Sequence, residues 1–192
     1  MPTYDLAFFH PVGPHVGESL EGIIQRKQAE IRRYGRTYWS FAPARPDRVN
    51  LWREELQRAS LVTCPVLCCG ATTTDPQRTK ADEYWAANWS ADQQVWQPLP
   101  KKVTNYHRPA RNGILASAFV VTDIAVPADL HIQRPSHWLA VDPPEWRRTS
   151  VPTRGEYLVR DVEAGPAGSQ VKLVLTVAAP FVVWIDQEVL AK

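Results

Sequence analysis

Seventeen prolines against nine glycines constrain this chain more than any other feature of its sequence. Each proline fixes φ and lacks a backbone N–H, so it ends a helix and is tolerated in a sheet only at an edge, a start or a bulge. Punctuation at this density divides a chain into short elements and disfavours an all-helical bundle. Between the prolines, 44% hydrophobic and 22% charged residues are ordinary globular usage and argue against a disordered chain or a membrane protein. A length of 192 residues lies in the single-domain range, and a chain of this size buries roughly 70% of its unfolded surface, enough for a core of its own. One domain spanning residues 1–192 is expected.

The formal net charge is only +2, so attraction to phosphate has to come from a local patch. Met1 to His10 shows no basic stretch followed by a long apolar one and no small-residue cleavage site, so no secretory signal is indicated. The longest apolar run, Leu173 to Ile185, contains Thr176 and Pro180 and is shorter than the roughly 20 residues that cross a bilayer. It reads as core strand, and no membrane partner is expected. Three cysteines, two of them adjacent at Cys68 and Cys69, make a poor disulfide framework and suit a reducing compartment, the cytoplasm by default.

Tyr4 to His10 reads as a first strand, followed by a loop from Pro11 to Gly17. Leu20, Ile23, Ile24, Ile31 and Tyr34 recur at helical spacing, with Glu18 placed to complement the helix dipole and Gly35 placed to end the helix. Arg36 to Phe41 is a second strand. Asp47 then caps a second helix with Val49, Trp52, Leu56 and Ala59 on one face and a Glu54–Arg58 pair at i,i+4. Leu61 to Cys69 is a near-continuous apolar run that suits a buried strand, with Pro65 at an edge or a bulge. Periodicity is lost from Ala71 to Pro109, apart from a short helix expected at Thr79 to Ala87. Strand signals then dominate: Gly113 to Ala125, Trp138 to Val141, Gly155 to Asp161, and Val171 to Ile185 with a bend near Pro180. Asp142 to Glu145 reads as an edge-strand turn and Gly165 to Gly168 as a hairpin loop. The fold class expected is α+β, with a curved mixed β-sheet or small β-barrel and two or three flanking helices.

Thr37-Tyr38-Trp39-Ser40-Phe41-Ala42-Pro43, followed by a short helix, resembles the opening of EVE-type domains, in which an aromatic strand leads through a proline turn into a helix. The run from Gly113 to Val121 is similar to the glycine-led strand of the same family, and the two segments come in the family's order. The chain departs from the pattern in placing a strand and a helix before the aromatic strand, and in having Ala42 and Ala44 around Pro43 where an acidic residue is usual. The resemblance implies a PUA-like fold, the group that includes ASCH, EVE and YTH domains, whose members bind RNA or DNA and often hold a modified base in an aromatic pocket.

Eight tryptophans is a high count for this length. A base extruded from a strand is held by stacking and by hydrogen bonds to its edge, so its pocket needs aromatic faces with polar groups between them. Tyr38, Trp39, Ser40, Trp85, Trp89 and Trp96 are the candidate ligand-binding residues. Tyr38 and Trp39 point to opposite faces of a strand, so either one of them is open or both faces are covered. Trp52, Trp138 and Trp184 lie within regular elements and are assigned to the core.

Lys101 to Arg111 holds four fixed positive charges, Lys101, Lys102, Arg108 and Arg111, with no acid and with Tyr106 between them. Cations that grip phosphates beside an aromatic that stacks a base are what single-strand binding requires. A second basic group, Arg26, Lys27, Arg32, Arg33 and Arg36, reads as a solvated helix face with Glu30 in it. The cysteines lack Cys-x-x-Cys spacing and the five histidines are scattered, so buried structural thiols are expected and neither a metal nor another cofactor is called for. His10 and His15 lie in a strand-to-helix junction that matches no phosphate-binding motif, and both read as polar surface. The leading functional class is a nucleic-acid-binding module taking RNA or single-stranded or opened DNA. The alternatives are a small hydrolase or nucleotide-modifying enzyme with a His or Cys site, and a protein-interaction domain of phage or mobile-element type. Convergent titrating groups would distinguish the enzyme.

Overall fold

The computed structural model describes residues 3–12, 19–41, 46–70, 87–90, 95–98, 116–152 and 155–185. Strand β1 (Thr3–Val12) leads into helix α1 (Leu20–Tyr34), strand β2 (Thr37–Phe41), helix α2 (Pro46–Arg58) and strand β3 (Thr63–Gly70). After these come only strands among the described residues: β4 (Ala87–Ser90), β5 (Val95–Pro98), β6 (Ala116–Ala125), β7 (His131–Ile132), β8 (His137–Val141), β9 (Pro144–Arg148), β10 (Tyr157–Glu163) and β11 (Ser169–Ile185).

Local chemistry accounts for both helices. At the start of α1 the Ser19 side chain accepts from the Gly22 N–H at 3.1 Å, and Glu21 complements the first turn. At its end Arg32 and Arg33 complement the last turn, and Gly35 at φ 76° returns its N–H to the Ile31 carbonyl. On α2, Val49, Trp52 and Leu56 are fully buried, as their spacing requires. Ala59 lies beyond the helix end and is exposed, and Arg58 pairs with Glu55 at i,i+3 rather than with Glu54.

The main sheet runs in the order β2-β6-β11-β3-β1-β10-β8-β9. It is mixed, because β1 and β3 are parallel while the other neighbours on this path are antiparallel. Helix α1 packs against β2 and β6, and α2 against β11 and β8. The fold is therefore α+β with two helices among the described residues.

The sheet curls strongly. Three strands lie between β2 and β1, which in a flat sheet would separate them by about 19 Å. Yet the Trp39 indole nitrogen on β2 is 3.2 Å from His10 Nε2 on β1. Phe8 on β1 and Phe119 on β6 also touch, with centroids 4.9 Å apart. Strand β11 supplies much of the bend: its register shifts between Val171 and Leu173 and again between Val177 and Val182, and Phe181 has φ 64°. Despite the curl, the strand path is open, ending at β2 on one side and β9 on the other.

Apolar clusters lie on both faces of the sheet. Phe8, Val12, Cys64, Val66 and Cys68 join Trp39, Trp52 and Phe119 in one, and Ala7, Leu67, Cys69 and Val159 join Ile132 and Val171 in the other. Burial on both faces explains the apolar run from Cys64 to Cys69, whereas Leu61 and Val62 precede β3 and Val62 is exposed.

Three sequence expectations require correction. Pro65 is not on an edge strand, since β3 lies between β1 and β11; its missing N–H is accommodated because the β1 register begins one residue later, at Val66. Gly165 to Gly168 forms a turn, with the Gly168 N–H donating to the Gly165 carbonyl at 3.0 Å, but not a hairpin. The flanking β10 and β11 do not pair with each other, because Ile132 of β7 sits between Ala164 and Ser169. The loop expected to begin at Pro11 begins later, because Pro11 and Val12 continue the parallel ladder with Cys69 and Gly70. The expected helix at Thr79 to Ala87 lies outside the described residues except for Ala87, which opens β4. By contrast, Asp142 and Pro143 do form the expected edge turn, between β8 and the terminal strand β9.

Candidate functional site

The curled sheet brings together residues that are distant in sequence. On its inner face His10 (6% exposed) is held from two sides. The Trp39 indole N–H donates to Nε2 at 3.2 Å, and Nδ1 lies 3.2 Å from Glu156 Oε1, in the turn that precedes β10. An indole nitrogen can only donate, so Nε2 carries no proton and the neutral ring has its proton on Nδ1. The Nδ1 to Glu156 approach meets the distance of an ion pair without the alignment of a hydrogen bond. Glu156 itself is buried, and the Phe119 ring lies edge-on to the imidazole with centroids 5.8 Å apart. The expectation that His10 is a surface residue is thus corrected: it is the last inward position but one on β1, and alternation along the strand turns it into the core with Phe8 and Val12.

A second polar group is buried beside α1. Lys27, assigned by sequence to a solvated face, is 1% exposed. Its ammonium lies 3.2 Å from Glu30 Oε2, 3.3 Å from Thr37 Oγ1 and 4.6 Å from the centroid of the Tyr38 ring. Thr37 Oγ1 in turn donates to Glu30 Oε2, and Arg26 approaches Oε1 of the same carboxylate at 3.7 Å. Position 27 lies four residues after Ile23 and faces the core, and Glu30 one turn on supplies the opposite charge. The cue was available in the sequence as an i,i+3 Lys–Glu pair on the apolar stripe.

Both ring-bearing candidates of β2 are closed to solvent. Tyr38 is covered by Lys27 on one face of the strand and Trp39 packs inside the curl on the other. Trp89 and Trp96 occupy directly opposed register positions of the β4–β5 pair, and β5 joins β11 where Val95 meets Trp184. Ser40 is in register with Ala118. Trp85, Lys101, Lys102, Tyr106, Arg108 and Arg111 lie outside the described residues. Trp52 is core as expected, whereas Trp138 is only half-buried: its N–H donates to Thr149 Oγ1, Tyr157 meets it edge-on and Arg147 lies over its ring.

All three thiols are free and buried. Burial pushes Cys64 up to about 12 and Cys69 up to about 11, and raises Cys68 well above the ordinary thiol range, with the adjacent Cys69 adding to the effect. A thiol that stays protonated is a poor nucleophile. Among the described residues no group of three or more His, Cys, Asp and Glu side chains is placed to hold a metal ion. None of their helices is long and apolar enough to cross a membrane.

No protein-family model matches this chain, and neither a curated protein nor a solved structure matches it.

Proposed function

We propose that this chain binds single-stranded or locally opened nucleic acid, gripping phosphates with Lys101, Lys102, Arg108 and Arg111 and stacking bases on Tyr106 and the neighbouring tryptophans. One observation carries the reading. The described residues that flank the four cations in sequence pair with the same end of β11: Val95 of β5 with Trp184, and Ala116 of β6 with Ile185. Trp96 precedes Lys101 by five residues and Trp89 is its register partner across the β4–β5 pair, the juxtaposition that a binder combining charge and stacking needs.

The closed state of the three thiols and of His10 weighs against a site built on them, and an enzyme reading would rest instead on the partly exposed pairs of His131 with Asp129 and His137 with Asp161. The thiols are held protonated, and both nitrogens of His10 face protein groups. A relationship to PUA-like domains belongs to the same proposal, supported by the aromatic strand β2 beside β6 on a curled mixed sheet; because Tyr38 and Trp39 are closed, a base would be stacked on Tyr106 and the tryptophans near the basic stretch rather than on β2. Titration with labelled single-stranded RNA and DNA at two salt concentrations tests the reading. Binding that weakens steeply with salt is expected. Absence of binding at low salt to either polymer, with modified or unmodified bases, overturns it.

A further inference from the structure

The hydrogen bond from Trp39 to His10 joins two strands that the sheet order keeps apart, and it requires His10 Nε2 to be bare. A second proton on the ring has only Nε2 to go to, because the neutral ring already carries one on Nδ1. There it would set an N–H against the indole N–H at 3.2 Å. The cationic ring and the Trp39 bond are therefore mutually exclusive.

Glu156 is placed to reward the alternative. Its Oε1 is 3.2 Å from Nδ1, a distance that serves a charge pair, while the neutral ring gains no aligned hydrogen bond there. Both carboxylate and imidazole are buried, which strengthens their attraction once both are charged. Among the described residues, the other titratable or charged groups around this pair are Cys68, in register with His10 on β3; Tyr157, next to Glu156; and Arg48 of α2, close enough to Tyr157 to favour its ionised form. Trp39 and Phe119 complete the surroundings without a titrating group.

We infer that His10 is a proton-operated latch: gaining a proton at Nε2 exchanges the Trp39 bond for a charged pair with Glu156 and releases the Trp39 indole of the edge strand β2 from β1. Among the described residues the sheet order leaves β2 with one strand neighbour, β6, and its inner face is held by Trp39 together with Phe41, whose ring packs on Phe119 and Trp52; of these contacts only the Trp39 bond reaches His10. Release acts on this edge and leaves the β3–β1 pairing intact.

The indole ¹⁵N–¹H resonance of Trp39, assigned with Trp39→Phe, reads the latch as pH is lowered from about 8 to about 5, the interval in which histidines change charge. The resonance is expected to move from a hydrogen-bonded to a free position in one step that coincides with titration of the His10 ring. His10→Gln, whose amide oxygen accepts without titrating, should abolish the step, and Glu156→Gln should move it to lower pH. An indole resonance that does not move while His10 titrates overturns the inference, as does a His10 that stays neutral throughout. A step that appears only with loss of the whole far-ultraviolet signal also overturns it, because release would then be global. Should His10→Gln fail to fold, the coincidence in the wild-type protein and the shift in Glu156→Gln decide the matter.

Discussion

The ammonium of Lys27 sits 4.6 Å from the centroid of the Tyr38 ring and 3.2 Å from the Glu30 carboxylate, sealed between α1 and the edge strand β2. Removing one partner of such a pair leaves the other charge buried without its opposite charge. Glu30→Ala is expected to cost about 3–5 kcal/mol in urea unfolding, whereas the combined Lys27→Met, Glu30→Leu chain should lose much less or nothing. Equal losses in the two chains would show that the pair contributes packing alone.

Trp39→Phe keeps an aromatic ring inside the curl but deletes the donor to His10 Nε2. A buried acceptor left unmade costs about 1–3 kcal/mol. The midpoint of denaturant unfolding should fall accordingly with the slope of the transition unchanged.

The three cysteines should resist labelling in the folded protein. With Cys64 near 12 and Cys69 near 11, their thiolate fraction at pH 8 is more than about a hundredfold below that of a free thiol, whose pKa is about 8.5. A thiol reagent should report three groups per chain in denaturant and almost none without it. The same shifts predict alkaline destabilisation. Because the folded-state values lie above the unfolded ones, the stability is fully present below the ordinary thiol value of about 8.5 and is lost as pH rises from there toward about 12. Unfolding curves at two alkaline pH values check the sign.

Gly168 lets β7 approach the start of β11: a Cβ there would stand 2.1 Å from the Ile132 carbonyl oxygen, which is backbone and cannot swing away. Gly168→Ala is expected to destabilise by about 1–3 kcal/mol, the range of an overpacked site. Thermal unfolding should show it. An Ala variant as stable as the parent would mean that β7 is free to shift outward.

If phosphates are gripped by Lys101, Lys102, Arg108 and Arg111, changing all four to Ala should flatten the dependence of log K on log salt by up to about 3 units on a single strand. Tyr106→Ala should instead weaken binding by about 1–3 kcal/mol with the slope unchanged, since stacking releases no counterions. Fluorescence anisotropy with a labelled oligonucleotide separates the two. An unchanged slope in the fourfold variant would move the phosphate contacts elsewhere.

Local rules made much of the fold legible. Gly35 and the Ile23 to Ile31 spacing marked α1 because capping and amphipathicity act over a few residues, whereas the Ser19 N-cap emerged only in the structure. Val49, Trp52 and Leu56 marked α2 for the same reason. The apolar run at β3 announced a strand buried on both faces, and Pro180 announced the bend in β11. The order of the strands was not legible, nor was the insertion of β7 beside the turn at Gly165 to Gly168, because pairing between distant strands leaves no mark in a local window.

The sequence by itself determined the two helices, the strands β1, β2, β3, β6, β8, β10 and β11, and that a dense basic stretch lies beside tryptophans, since these follow from side-chain type and spacing along the chain; the short strands β4, β5, β7 and β9 it did not. Only the tertiary structure decided that His10 is a core residue bonded to Trp39 and facing Glu156, and that Lys27 is sealed over Tyr38. Those outcomes depend on the curl of the sheet and on which neighbours a residue meets through space. Sequence spacing carries the direction of a side chain but not the partner that waits for it.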